Sequence, residues 1–131
     1  MKTKVLFCFD SEDYTSPCST DMLPLLAQLL EKHGIAGNFM MVGLLAESVQ
    51  REGRRDVTEA LRSHVIGFHT YGHTLHPDVA EATDVEDYGE AQRRLDEEAR
   101  AVETVKSVFG RDRLWAAVPP GNSVSYAAMY R

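Results

Sequence analysis

Apolar residues fall in short blocks separated by glycine, proline and charged positions, and the spacing inside each block predicts what it builds. Val5-Leu6-Phe7-Cys8-Phe9 is apolar throughout and is ended by Asp10, which predicts a first strand over 4–9, of the parallel kind covered on both faces. Over 20–33, Met22, Leu23, Leu26, Leu29 and Leu30 share one helical face, with Ser19 or Thr20 as N-cap and Gly34 just past the end. Residues 37–42, Gly-Asn-Phe-Met-Met-Val closed by Gly43, predict a second strand. Two short helices over 44–52 and 56–64, split by Gly53, lead into a third strand, Val65-Ile66-Gly67-Phe68. A polar loop from Thr74 to Thr83 precedes a long charged helix over about 84–109. Its inward positions are Ala91, Leu95, Ala99, Val102, Val105 and Phe109, and its acids and bases read as a solvated face. Leu114 to Val118 predicts a fourth strand, which Pro119-Pro120-Gly121 prevents from continuing.

Strands alternating with helices imply a parallel α/β arrangement, in which functional groups gather at the carboxyl ends of strands. Chemistry-bearing residues stand at those ends here. Asp10, Glu12 and Asp13 follow the first strand, His69 and His73 the third, and the Pro-Pro-Gly turn the fourth.

With 131 residues, 44% hydrophobic and 26% charged, the chain has the size and composition of one globular domain. A formal charge of −6 without clustered Lys and Arg excludes a grip on phosphate backbones or anionic lipid, so neither nucleic acid nor membrane is expected as a partner. The five-residue apolar run near the N-terminus is too short for a signal segment or a membrane span, and the chain reads as cytoplasmic. Two cysteines make no disulfide scaffold. Cys8 reads as a small core residue, and Cys18 as a loop thiol that stays open as an extra site candidate.

Asp10-Ser11-Glu12-Asp13 packs three carboxylates into four residues, which repel unless a cation or solvent relieves them. Read alone, the run also fits a plain acidic loop. Its place at a strand end, where side chains two apart point to one side, lets Asp10 and Glu12 converge on one site. His69 and His73 are four apart, and one helical turn brings both imidazoles to one face, as zinc sites require. That spacing alone also fits structural histidines. Combined with a carboxylate from another strand end, the pair becomes a two-His, one-acid set with positions left open for water and substrate. His76 is a substitute ligand or a second-layer or solvent-facing residue. A phosphoryl-accepting receiver domain requires an Asp at the end of the third strand, where Phe68-His69 stands, and an Asp-x-Asp phosphohydrolase is weakened by Glu12.

Four segments in order resemble the polysaccharide deacetylases, the NodB-type domain of carbohydrate esterase family 4. Val5 to Asp13 is similar to the first motif, a strand ending in Phe-Asp and followed by another acid. Gly34 to Gly43 resembles the family strand Gly-Ile-x-Ala-Thr-Phe-Phe-Val-x-Gly, Ile66 to His73 the motif His-Ser/Thr-x-x-His, and Pro119-Pro120-Gly121 the end of the third motif. The resemblance implies a parallel (β/α) barrel, here incomplete with about four strands. It implies a hydrolase that removes N-acetyl groups from a carbohydrate, or acts on the C–N bond of a small amide. Its cofactor is a divalent metal ion, zinc first, held by Glu12, His69 and His73, with Asp13 as the fallback acid. Asp10 is then the general base that takes a proton from the attacking water, and the backbone N–H groups of Gly121 and Asn122 stabilise the oxyanion. Tyr14, Tyr71 and Trp115 are candidates to stack on a sugar ring.

Two departures narrow this expectation. Val118 stands where the family has an Arg before the proline pair, leaving Arg111 or Arg113 as replacements. The family's later segments, with its histidine acid, do not follow Pro119-Pro120-Gly121. An incomplete barrel leaves open strand edges, so the expectations are a longer product, a homo-oligomer closing the barrel, or a reduced relative serving as a non-catalytic metal-binding or assembly module.

Overall fold

The computed structural model describes residues 2–83, 86–123 and 125. Three strands, β1 (Cys8–Ser11), β2 (Asn38–Met41) and β3 (Val65–Phe68), form one parallel sheet in the order β1-β2-β3. The register sets Asp10 beside Met40 and Met40 beside Gly67. Among the described residues, helices α1 (Pro17–Lys32), α2 (Gly43–Arg51), α3 (Arg55–Ala60) and α4 (Tyr88–Val108) complete the regular structure, with short 3-10 turns at Glu81–Thr83 and Pro120–Asn122. Among the described residues, no helix is long and apolar enough to cross a membrane.

Side chains alternate across a strand, and the sheet uses this unequally. Phe39, Met41, Ile66 and Phe68 join Leu23, Ala27 and Leu30 of α1, Leu45 and Val49 of α2, and Ala101 and Val105 of α4 in one buried core. Cys8 and Asp10 fall on the other face, at the edge strand, and are exposed. The first strand is therefore shorter and later than its apolar run predicts. Val5 and Leu6 lie ahead of it in the open, and Cys8 is a free exposed thiol rather than a core residue, because among the described residues no element covers that face of β1.

Helix α1 begins three residues ahead of expectation. Pro17 presets the first turn, and Ser16, not Ser19 or Thr20, is the N-cap. This start puts Cys18 on the helix, exposed, rather than in a loop. Gly34, at φ +67°, closes the helix in the left-handed region as its position predicts. The buried stripe is Thr20, Leu23, Ala27 and Leu30, whereas Met22 and Leu29 of the predicted face are more than half exposed. Helix α4 starts at Tyr88 because Asp87 caps it by accepting from the N–H groups of Gly89 and Glu90. Positions 84 and 85 of the predicted helix lie outside the described residues. Leu95, Val105 and Phe109 are buried as predicted, but Ala101 takes the inward position in place of exposed Ala99.

The predicted fourth strand reduces to a single parallel bridge between Phe68 and Ala117. Phe68 donates its N–H to the Ala116 carbonyl and accepts from the Val118 N–H, after which the prolines supply no donors. The result is an open arc of a barrel, with three strands and one bridged segment.

Candidate metal centre

The histidine run leaves β3 at its carboxyl end and is held from several sides. The His69 N–H donates to the Met41 carbonyl at the end of β2. At the start of α2, the N–H groups of Gly43 and Leu44 donate to the carbonyls of Thr70 and Tyr71, each at 2.9 Å. These are helix N-terminal donors, which otherwise lack partners. Gly43 must be small for this contact, since a Cβ there would lie 2.6 Å from Ala101 Cβ and 2.9 Å from the Tyr71 ring. On the far side, Glu98 of α4 accepts from the Thr70 hydroxyl at 2.7 Å and from the Tyr71 N–H at 2.8 Å. Desolvation pushes the Glu98 carboxyl above the usual carboxylate range, and the hydrogen bonds from Thr70 and Tyr71 oppose that rise. Glu98 is thus an exception to the solvated face predicted for α4. The charge pattern of α4 could not single it out.

Glu12, His69 and His73 come together, with one potential ligand atom from each lying within 4.8 Å of the others. His69 Nδ1 donates to the Val118 carbonyl, which turns Nε2 toward Glu12 as the nitrogen able to offer a lone pair to an ion. His69 Nε2 and His73 Nε2 each lie 3.4 Å from Glu12 Oε2. The two rings stack, with centroids 5.2 Å apart. His69 Nε2 is buried and, although it lies near Glu12, makes no hydrogen bond. A positive charge between that nitrogen and the Glu12 carboxylate, a proton or a metal ion, satisfies both groups. Two imidazoles and one carboxylate are also a donor set that suits zinc and similar divalent ions. The residues present therefore fit a metal ion.

The other candidates are placed elsewhere. Asp10 is exposed on β1, two residues before Glu12, and lies outside the three-residue cluster. Asp13 accepts from the Thr15 N–H and hydroxyl, the Ser16 N–H and the Ser19 hydroxyl, so its carboxylate organises the start of α1. These bonds, that from Ser19 foremost, lower its pKa to about 2. His76 pairs with Glu81 at 2.6 Å, which raises its pKa, and it is not in the cluster. The Asn122 N–H donates to the Pro119 carbonyl and is used within the turn, while Gly121 takes a left-handed φ of 60°.

Neither proposed replacement for the family's arginine reaches this end of the sheet. Arg111 donates to the carbonyls of Leu61, Arg62 and His64, ahead of β3, and Arg113 lies over the exposed Trp115 ring at 4.1 Å. Tyr71 and Tyr14 both pack against the core, and the Tyr14 hydroxyl lies 2.9 Å from that of Thr74, the residue after His73.

The polysaccharide deacetylase family profile matches residues 1–129. The chain belongs to the polysaccharide deacetylase family. No curated protein matches it. Two solved structures share the fold of this deacetylase domain. One is wild-type BA3943, a carbohydrate esterase family 4 pseudoenzyme from Bacillus anthracis, with 15% identity and a TM-score of 0.61. It covers 95% of this chain, which in turn spans 38% of that one. The other is a BA3943 mutant with restored enzymatic activity, with 16% identity, a TM-score of 0.63, and coverage of 95% and 39%. The open arc is accordingly an incomplete NodB-type barrel, and the chain spans about two-fifths of the length of the solved structures it matches.

Proposed function

We propose that this chain forms the metal-binding part of a hydrolase that removes N-acetyl groups from carbohydrate, with Glu12, His69 and His73 holding a divalent ion, zinc first. The observation that carries this reading is the convergence of those three side chains around the unpartnered buried Nε2 of His69. When bound, such an ion polarises an amide carbonyl and makes water a stronger nucleophile. Asp10, at the same end of β1, takes the proton from the attacking water. The Gly121 N–H, in the turn that follows the His69-bound carbonyl of Val118, is the donor assigned in this reading to the developing oxyanion. Cleavage of the C–N bond releases acetate and an amine. Tyr14, whose hydroxyl meets that of Thr74, offers a ring for a sugar.

The test is metal content and acetate release measured side by side. Purified protein should bind one divalent ion and release acetate from chito-oligosaccharides, small N-acetyl amides or aryl acetates. Asp10→Asn should lower turnover by about 10²- to 10⁴-fold and leave metal binding intact. Retention of the metal by His69→Ala would overturn the site.

A second reading, a metal-binding module without turnover, is favoured by Val118 at the position of the family's arginine and by the likeness to a pseudoenzyme. Stoichiometric metal with no acetate release supports it. Val118→Arg separates the two readings, since a gain of activity from that change alone marks a site lacking only its arginine.

A further inference from the structure

We propose that Glu98 is the positioning residue that sets the histidine run in its ligand-presenting shape, an inference that rests on the metal reading above. The run must turn between His69 and His73, and the two residues that begin the turn, Thr70 and Tyr71, are gripped from both sides. Their carbonyls are bound by the first N–H groups of α2, and two of their donors, the Thr70 hydroxyl and the Tyr71 N–H, go to separate oxygens of Glu98. Helices α2 and α4 pack directly on one another, and a Cβ at Gly43 would meet Ala101 of α4. The two grips therefore come from a pair of helices packed against each other.

A carboxylate suits this arrangement, because each of its oxygens accepts from one of the two groups facing it. A glutamine keeps both contacts, its Oε1 accepting from the Tyr71 N–H and its Nε2 donating to the Thr70 hydroxyl oxygen, whereas a methionine of similar length offers the Tyr71 N–H no comparable acceptor. Thr70 is 1% exposed, so its hydroxyl has no water to fall back on if Glu98 is lost. Through this clamp Glu98 acts on His69 and His73 without touching either. Removal of an outer partner of this kind weakens metal binding by about 10- to 100-fold.

The experiment compares Glu98→Met and Thr70→Val with wild type by zinc titration, by the visible bands of the cobalt-loaded protein, and by amide hydrogen exchange of the metal-free protein. Both variants are close in size to the residues they replace, and circular dichroism checks that they fold. The expected result is zinc affinity lower by about 10- to 100-fold in each, altered cobalt bands, and less than the product of the two losses in the double variant. Faster exchange at Tyr71 should accompany Glu98→Met, while the amides of β3 stay protected. Unchanged affinity and unchanged cobalt bands in folded variants overturn the proposal. If wild type itself binds no divalent ion, the metal reading fails separately, and the exchange rate at Tyr71 alone decides whether Glu98 orders the run.

Discussion

His69 lies buried with its ring fixed on the Val118 carbonyl, in a run gripped by α2 and Glu98, whereas Glu12 stands half exposed in the loop after β1. The two sides of the candidate centre thus differ in how they are held. The histidine side is built before any ion arrives, through backbone bonds to β2 and α2 and a carboxylate from α4. The acidic side is a short loop whose neighbouring carboxylate, Asp13, is fixed to the start of α1. Three acids in one run therefore divide into an exposed strand-end group, a side chain free to meet the histidines, and a helix-capping group. Preorganised donors lower the cost of ordering on binding, and an adaptable acid lets the centre close around its ion.

If that contrast holds, His69→Ala has the largest effect. It removes the buried donor and leaves the Val118 carbonyl without its partner, so zinc affinity should fall beyond the about 10- to 100-fold that loss of an outer partner costs. Isothermal titration measures it. Glu12→Gln should weaken zinc less, because an exposed loop can bring water to the vacant position, and the same titration ranks the two. A greater loss from Glu12→Gln than from His69→Ala would break the contrast.

Gly43→Ala acts on the scaffold rather than on a donor. Its Cβ would sit 2.6 Å from Ala101, and the expected destabilisation is about 1–3 kcal/mol by denaturant unfolding, with weaker zinc binding because α2 can no longer approach Tyr71. A neutral Gly43→Ala would show that α2 does not set the histidine run.

The smallest effect is expected from Asp13→Asn, as a thermal midpoint lower by a few degrees with zinc affinity unchanged. The folded protein holds this carboxyl at about 2, below its ordinary 3.8, so its contribution is present above the ordinary value and is lost as pH falls toward 2. The gap between variant and wild type should be widest above about pH 5 and close between about pH 4 and pH 2. Loss of zinc instead of midpoint would make Asp13 the acidic ligand and reassign the loop.

Much of this architecture was legible in the chain. The positions of β2 and β3, the glycine that ends α1 and the parallel α/β order follow from apolar spacing and punctuation, which are local properties. The site residues stand at strand ends because they follow apolar blocks, and that too can be read without coordinates. The first strand and Cys8 were misread because an apolar run says nothing about whether its surroundings cover it, and Val5 to Cys8 lie on an open edge. Glu98 could not be distinguished among the acids of α4, since its burial depends on the approach of a run 28 residues earlier. The backbone carbonyl of Val118 carries no signal in residue identity at all.

By itself, then, the sequence determined the kinds of element, their order and the residue types offered at each strand end, because propensity, periodicity and turn chemistry act over a few neighbours. Tertiary structure decided which of the three acids meets the histidines, which nitrogen of His69 is left open, and which distant carboxylate holds the run in shape. Those choices depend on distances between segments far apart in the chain, and such distances exist only once β1, β3 and α4 have packed around a common core.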